Sequence, residues 1–227
     1  MAVEAVAVPD YLAQTYWWAY VHPRAVRLFE REWLVNLILW GNFGRLRDAA
    51  LQALAPGERS TLQIACVYGD LTKRLAACGP APLDVVDVLP IQLDNLARKL
   101  PREAAVGLHH GDSARLPFDS GAYERALLFF LLHEQPAEVR RSTLAEALRV
   151  LKPGGRLVVV DYHRPARCNP LYWPMVAVLK GLEPFALDLW RHEIEEWLPA
   201  GAAVAALRKQ TFFGGLYQLV IIEKAIP

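Results

Sequence analysis

The chain has 227 residues, with 25 Lys+Arg against 24 Asp+Glu and a formal net charge of +1. That length suits one α/β domain with a short accessory segment, and 54% hydrophobic against 22% charged residues excludes a disordered chain. Near neutrality argues against a nucleic-acid binder, and three scattered cysteines (Cys66, Cys78, Cys168) with no CxxC pair argue against a disulfide framework or structural zinc and fit a reducing compartment.

Met1 to Asp10 carries acids and no basic cluster, unlike a signal or transit peptide. The next apolar stretch, Trp33 to Trp40, contains Asn36 and falls well short of the roughly 20 residues a bilayer span needs. Tyr11 to about Leu54 reads as a helical front in which Tyr16, Trp17, Trp18, Tyr20, Trp33 and Trp40 mix with Arg24, Arg27, Arg31, Arg45 and Arg47. Trp and Tyr alternating with Arg suit a helix lying at a membrane surface, and they equally suit the packing of a lid over a substrate. Pro56-Gly57 marks the hinge, so the expected division is 1–56 as a helical lid or membrane-contact segment and 57–227 as a nucleotide-binding domain.

From Thr61 strands and helices alternate. Leu62 to Val67 reads as a buried strand, Leu71 to Cys78 as a helix, Leu83 to Val88 as a second strand and Ile91 to Leu100 as a second helix. Val106 to His110 is a short third strand. Arg125 to Leu132, apolar nearly throughout, is a fourth of the kind covered on both faces. A helix over Pro136 to Leu151 is stopped by Lys152-Pro153-Gly154-Gly155, and Arg156 to Asp161 is a fifth strand. A helical insertion, about residues 165–200, precedes an antiparallel hairpin of Ala202 to Thr211 with Leu216 to Ile222. The pattern predicts a Rossmann-like α/β fold: a mostly parallel, doubly wound sheet with an antiparallel C-terminal edge strand and an N-terminal helical extension. Ligands of such sheets bind beside the carboxyl ends of the strands, where the insertion also sits.

The body resembles a class I S-adenosylmethionine-dependent methyltransferase. TLQIACVYGD (Thr61 to Asp70) stands in the place of the glycine-rich first motif, LDVVDVLP (Leu83 to Pro90) matches the second strand with its acid, and ALRVLKPGGRLVVVD (Ala147 to Asp161) matches the approach to strand five. Where that family shows an acid and three glycines, this chain has Gln63, Ala65, Val67 and Gly69. A narrower resemblance covers nearly the whole chain: YWWAYVHPRAVRLFEREWLVNLILWG (Tyr16 to Gly41), ACVYGDLT (Ala65 to Thr72), LLFFLLHEQP (Leu127 to Pro136), DYHRPAR (Asp161 to Arg167) and EPFALDLWRHEI (Glu183 to Ile194) are similar to the methyltransferase-like rhodoquinone-biosynthesis family, RquA. It implies replacement of a ring methoxy group of ubiquinone by an amino group, with S-adenosylmethionine as amino donor and manganese as a Lewis acid. The aromatic front and the lack of a presequence lead to the expectation of a peripheral protein at the inner face of the bacterial cytoplasmic membrane.

These resemblances assign expected roles. Ala65, Val67, Tyr68 and Gly69 would face the methionine part of the cofactor. Asp87 with Val88 would take the ribose hydroxyls, and Asp112 with Ser113 the adenine. The rival readings are a helix cap for Asp87 and an Asx turn for Asp112. His133 and Glu134 emerge at the end of strand four, and Asp161 and His163 at the end of strand five; together they are candidate manganese ligands. Tyr68, His133 and Glu134 are the catalytic candidates, with the base left open among them. Tyr16, Trp17, Tyr20, Tyr162 and Trp190 are the substrate candidates. Methylation of a quinone or polyprenyl phenol, and a non-catalytic S-adenosylmethionine-binding module, stand as alternatives.

Overall fold

Buried apolar segments account for the strands. The computed structural model describes residues 7–16 and 23–226. β1 (Thr61–Ile64), β2 (Leu83–Asp87), β3 (Val106–His110), β4 (Tyr123–Phe129), β5 (Leu151–Tyr162), β6 (Val204–Phe212) and β7 (Tyr217–Lys224) form one sheet in the order β3-β2-β1-β4-β5-β7-β6. β1 to β5 pair in parallel, and β7 runs antiparallel to both its neighbours. All of β1 is buried, as a parallel strand covered on both faces must be.

Alternation along the central strands splits the core in two. Leu127, Phe129, Val158 and Val160 face α4 (Phe43–Leu54), α5 (Leu71–Ala77) and α8 (Tyr172–Leu182). Ala126, Leu128, Leu157 and Val159 face α7 (Ala137–Val150). Phe43, Leu46, Ala50 and Leu54 recur at helical spacing and make the buried stripe of α4. Its last carbonyls are held by Arg156, which donates to Ala53 O at 2.7 Å, and Arg125, which donates to Leu54 O at 2.9 Å. The remaining helices are α1 (Asp10–Thr15), α2 (Pro23–Phe29), α3 (Glu32–Ile38), α6 (Pro90–Lys99) and α9 (Ala186–Leu189).

Three boundaries differ from the sequence expectation. β1 stops at Ile64 and β4 at Phe129, because Ala65 (φ 72) and Phe130 (φ 53) turn into left-handed backbone and carry the chain out of the sheet. β5 begins at Leu151, and the register shift between Tyr123 and Arg125 on β4 accommodates Lys152 to Gly155. The hairpin closes the sheet as expected, but its antiparallel member β7 lies one place in from the edge. β7 buries Leu219, Val220 and Ile222, so it takes the interior slot; β6, largely exposed, takes the outermost one.

The sheet order reverses between β1 and β4, which opens a crevice at their carboxyl ends. No helix among the described residues is long and apolar enough to cross a membrane.

Candidate active site

A cavity of about 710 Å³ occupies that crevice. The loop after β1 forms one wall, and its residues are held by their own neighbours. Gln63 donates through Nε2 to Ala65 O at 2.9 Å and accepts from Thr72 Oγ1 at 2.9 Å. Cys66 N donates to Asp87 Oδ2 at 2.7 Å. Ala65, Cys66, Val67 and Tyr68 all line the cavity. Gly69 does not: its N–H donates to Glu30, and a Cβ there would lie 2.8 Å from the Phe43 ring. Its φ of 83 is one that favours glycine, so the residue is needed for the turn and for Phe43. Tyr68 stacks on Phe29 at 6.0 Å and accepts from Gln92 at 2.8 Å. Burial pushes its phenol well up, which leaves it a neutral hydrogen-bonding group at neutral pH.

Asp87 stands at the end of β2, facing both the cavity and the loop backbone. It lines the cavity with Val88, and its Oδ1 also accepts from Leu89 N at 2.8 Å, at the start of α6. Burial pushes this carboxyl up, against the pull of the Cys66 and Leu89 N–H groups. Asp112 and Ser113 line the same lobe; Asp112 makes the Asx turn to Ala114 N at 2.8 Å, and Ser113 Oγ accepts from Gln135 at 3.0 Å. Asp87→Ala is expected to weaken S-adenosylhomocysteine binding at least about tenfold, since it removes acceptors for the ligand and for two loop N–H groups. Calorimetric titration checks this; unchanged affinity would make the carboxylate a cap only.

The floor of the cavity lies where β4 ends. A 3-10 turn, Leu132–Glu134, places His133 and Glu134 there. His133 Nδ1 lies 2.9 Å from Asp161 Oδ1, and its Nε2 lies 3.8 Å from Glu134 Oε1 and 4.0 Å from Glu183 Oε2. Burial opposes charge on this imidazole, but the Asp161 carboxylate outweighs it and, with Glu183 and Glu134, raises the imidazole to about 9. Burial likewise pushes the Glu183 carboxyl up, though His133 pulls the other way. The Tyr16 phenol, fully buried, faces Glu183.

The expected metal tetrad does not assemble. Asp161 is wholly buried, and its two oxygens accept from the N–H groups of Tyr162, Leu132 and His133. His163 lies past the end of β5, paired through Nδ1 with Gly215 O at 2.7 Å and outside the cavity. Among the described residues no three His, Cys, Asp or Glu side chains converge as a metal cage. The residues present therefore do not fit manganese as the tetrad required.

The substrate candidates divide similarly. Tyr162 lines the cavity; Trp190 packs in the core beside Tyr172, ring centres 6.0 Å apart, and does not reach it. Trp17 and Tyr20 lie outside the described residues. Beyond the floor the wall becomes apolar: Leu34, Leu37 and Ile38 of α3 face Met175, Val178 and Leu182 of α8. Trp40 Nε1 donates to Met175 Sδ at 3.4 Å and ties the two helices together. Tyr11, Gln92 and Glu183 are site residues that sequence reasoning missed.

A family model described as a methyltransferase domain matches residues 61–155. The chain is 30% identical over 207 residues to an uncharacterised methyltransferase of Synechocystis sp., covering 89% of this chain and 92% of that one. It is 32% identical over 198 residues to a demethylmenaquinone methyltransferase of Beutenbergia cavernae, covering 81% and 78%. Among solved structures, human N-acetylserotonin methyltransferase in complex with S-adenosylmethionine superposes with a TM-score of 0.64 at 15% identity, covering 96% of this chain and 60% of that one, a likeness of fold.

Proposed function

This chain belongs to the S-adenosylmethionine-dependent methyltransferase family, and from that premise we propose that it aminates a quinone ring, converting ubiquinone to rhodoquinone with S-adenosylmethionine as the amino donor. The observation that carries this reading is the floor: an Asp-held imidazole and two carboxylates stand between a nucleotide lobe and an apolar lobe. A methyl donor can keep its ammonium protonated throughout, whereas an amino donor must lose a proton before its nitrogen can attack. The replacement of two family glycines by Ala65 and Val67 supports a changed seat for the methionine part.

In this reading His133, held as an imidazolium, donates from Nε2 to a ring carbonyl and makes the methoxy-bearing carbon more electrophilic. Glu134 or Glu183 takes the proton of the donor's ammonium. A nitrogen–carbon bond forms to the ring, and methoxide leaves as methanol with a proton from that nitrogen. A carboxylate then takes a proton from the donor's β-carbon and passes it to the nitrogen as the bond from nitrogen to the α-carbon breaks, so that the donor's skeleton leaves as an α,β-unsaturated acid and the amine stays on the ring. The neutral Tyr68 phenol orients and does not act as base.

The apolar lobe suits an isoprenoid tail. Its outer rim carries exposed Trp33, Leu37, Ile38, Trp40, Trp173 and Leu182 beside exposed Arg31, Arg45 and Lys180, a composition suited to the inner surface of a bacterial membrane. A second reading, methylation of a quinone, is favoured by the likeness to the demethylmenaquinone methyltransferase. Mass spectrometry of ubiquinone after incubation with the protein and S-adenosylmethionine separates the two. Exchange of methoxy for amino lowers the mass of the quinone, as proposed; ubiquinone left unchanged, with demethylmenaquinone in a parallel incubation gaining one methyl and S-adenosylhomocysteine accumulating, would replace this reading with the second.

A further inference from the structure

We infer that Glu30 and Lys99 form a clamp that fixes the cofactor loop from outside the cavity and fastens helix α2 over it, making both positioning residues for the amino-acid end of the cofactor. The inference depends on S-adenosylmethionine binding alone, whichever group is transferred.

Lys99 stands at the last position of α6, and its ammonium has three protons to place. Its Nζ donates to Val67 O at 2.9 Å and to Gly69 O at 2.9 Å, and it meets Glu30 at 2.9 and 3.0 Å. Glu30, directly after α2, also accepts from Gly69 N at 3.2 Å and from Asn95 Nδ2 at 2.6 Å. The pair is mostly shielded, with 15% and 24% of the two side chains exposed, so solvent screens it only partly.

The consequence is geometric. With the carbonyls of Val67 and Gly69 turned outward to the ammonium, the side chains of Val67 and Tyr68 are presented to the cavity, and both line it. The same carboxylate holds the end of α2, whose Phe29 stacks on Tyr68. Elsewhere in the family glycines shape this loop by backbone freedom; here the left-handed turns at Ala65 and Gly69 are kept and the segment between them is pinned by an ion pair. The lobe proposed for adenine and ribose, at Asp87 and Asp112, stands at the ends of β2 and β3 and meets the loop at Cys66, outside the Val67 to Gly69 segment that the clamp pins.

The test compares ligands that share the nucleoside and differ in the tail. Titrating the full chain with S-adenosylhomocysteine and with adenosine, Lys99→Met and Glu30→Gln should each weaken the first about tenfold and the second less than about twofold. The double variant should be no worse than the weaker single one, because both changes break one device. Glu30→Gln keeps the two Lys99–carbonyl bonds and so keeps the test open should Lys99→Met fail to fold. Equal losses for both ligands would make the pair a general structural support, and unchanged S-adenosylhomocysteine affinity would remove it from the binding machinery; either result overturns the inference.

Discussion

Replacing Arg140 with methionine is expected to lower the stability of the fold by roughly 3–5 kcal/mol, although the side chain never touches the cavity. Arg140 is fully buried and serves as a hub. Its Nε donates to Leu132 O at 2.9 Å and Nη2 to Gln135 O at 2.9 Å, the carbonyls that flank His133 and Glu134. It also donates to Phe185 O at 3.0 Å and to Asp188 Oδ2 at 3.1 Å, in the segment that carries Glu183. Its guanidinium sits 4.3 Å above the Trp197 ring. Methionine fills similar volume but leaves Gln135 O without a donor, leaves Leu132 O and Phe185 O with only the N–H groups of Gln135 and Leu189, and unpairs Asp188, which is where the loss arises. In a chain of this length that corresponds to a fall in melting midpoint on the order of 10 °C. A midpoint within a degree or two of the parent would mean that the hub contributes little.

Asp161→Asn should cost activity about 100- to 10,000-fold while leaving cofactor affinity within about threefold. The carboxylate accepts from three backbone N–H groups and from His133 Nδ1, and an amide can match neither the charge nor all four bonds. The imidazole should then titrate well below its parent value of about 9. The sign of the linked stability follows. A histidine raised from 6.5 to about 9 contributes stability that is fully present below 6.5 and lost as pH rises through 9. In Asp161→Asn that decline should flatten, measurable as urea midpoints on either side of the window, with the His133 ring proton followed by NMR. A variant whose histidine still titrates near 9 would show that Asp161 is not its charge partner.

The sheet was legible because its signals are local. ALLF on β4 and LVVV on β5 are apolar runs suited to a doubly covered strand, and the turn residues between them mark the crossings. The placement of Asp87 and Asp112 at the crevice was legible for the same reason, since Asp87 ends β2 and Asp112 lies two residues past β3. The floor was only half legible. His133 and Glu134 follow β4 and were found, but grouping His163 with them assumed that side chains at neighbouring strand ends converge. His163 instead turns to the chain entering β7, where its N–H donates to Leu216 O at 2.8 Å. Glu183 and the Glu30–Lys99 pair carry no periodic signal, because their partners are distant in sequence and only the tertiary fold joins them.

The central claim is that nitrogen, not carbon, leaves the sulfonium compound. Incubating the protein with ubiquinone and S-adenosylmethionine whose α-amine carries heavy nitrogen tests it most directly. The account predicts an aminated quinone that retains the heavy isotope; an aminated quinone free of label, or ubiquinone returned without amination, would contradict it.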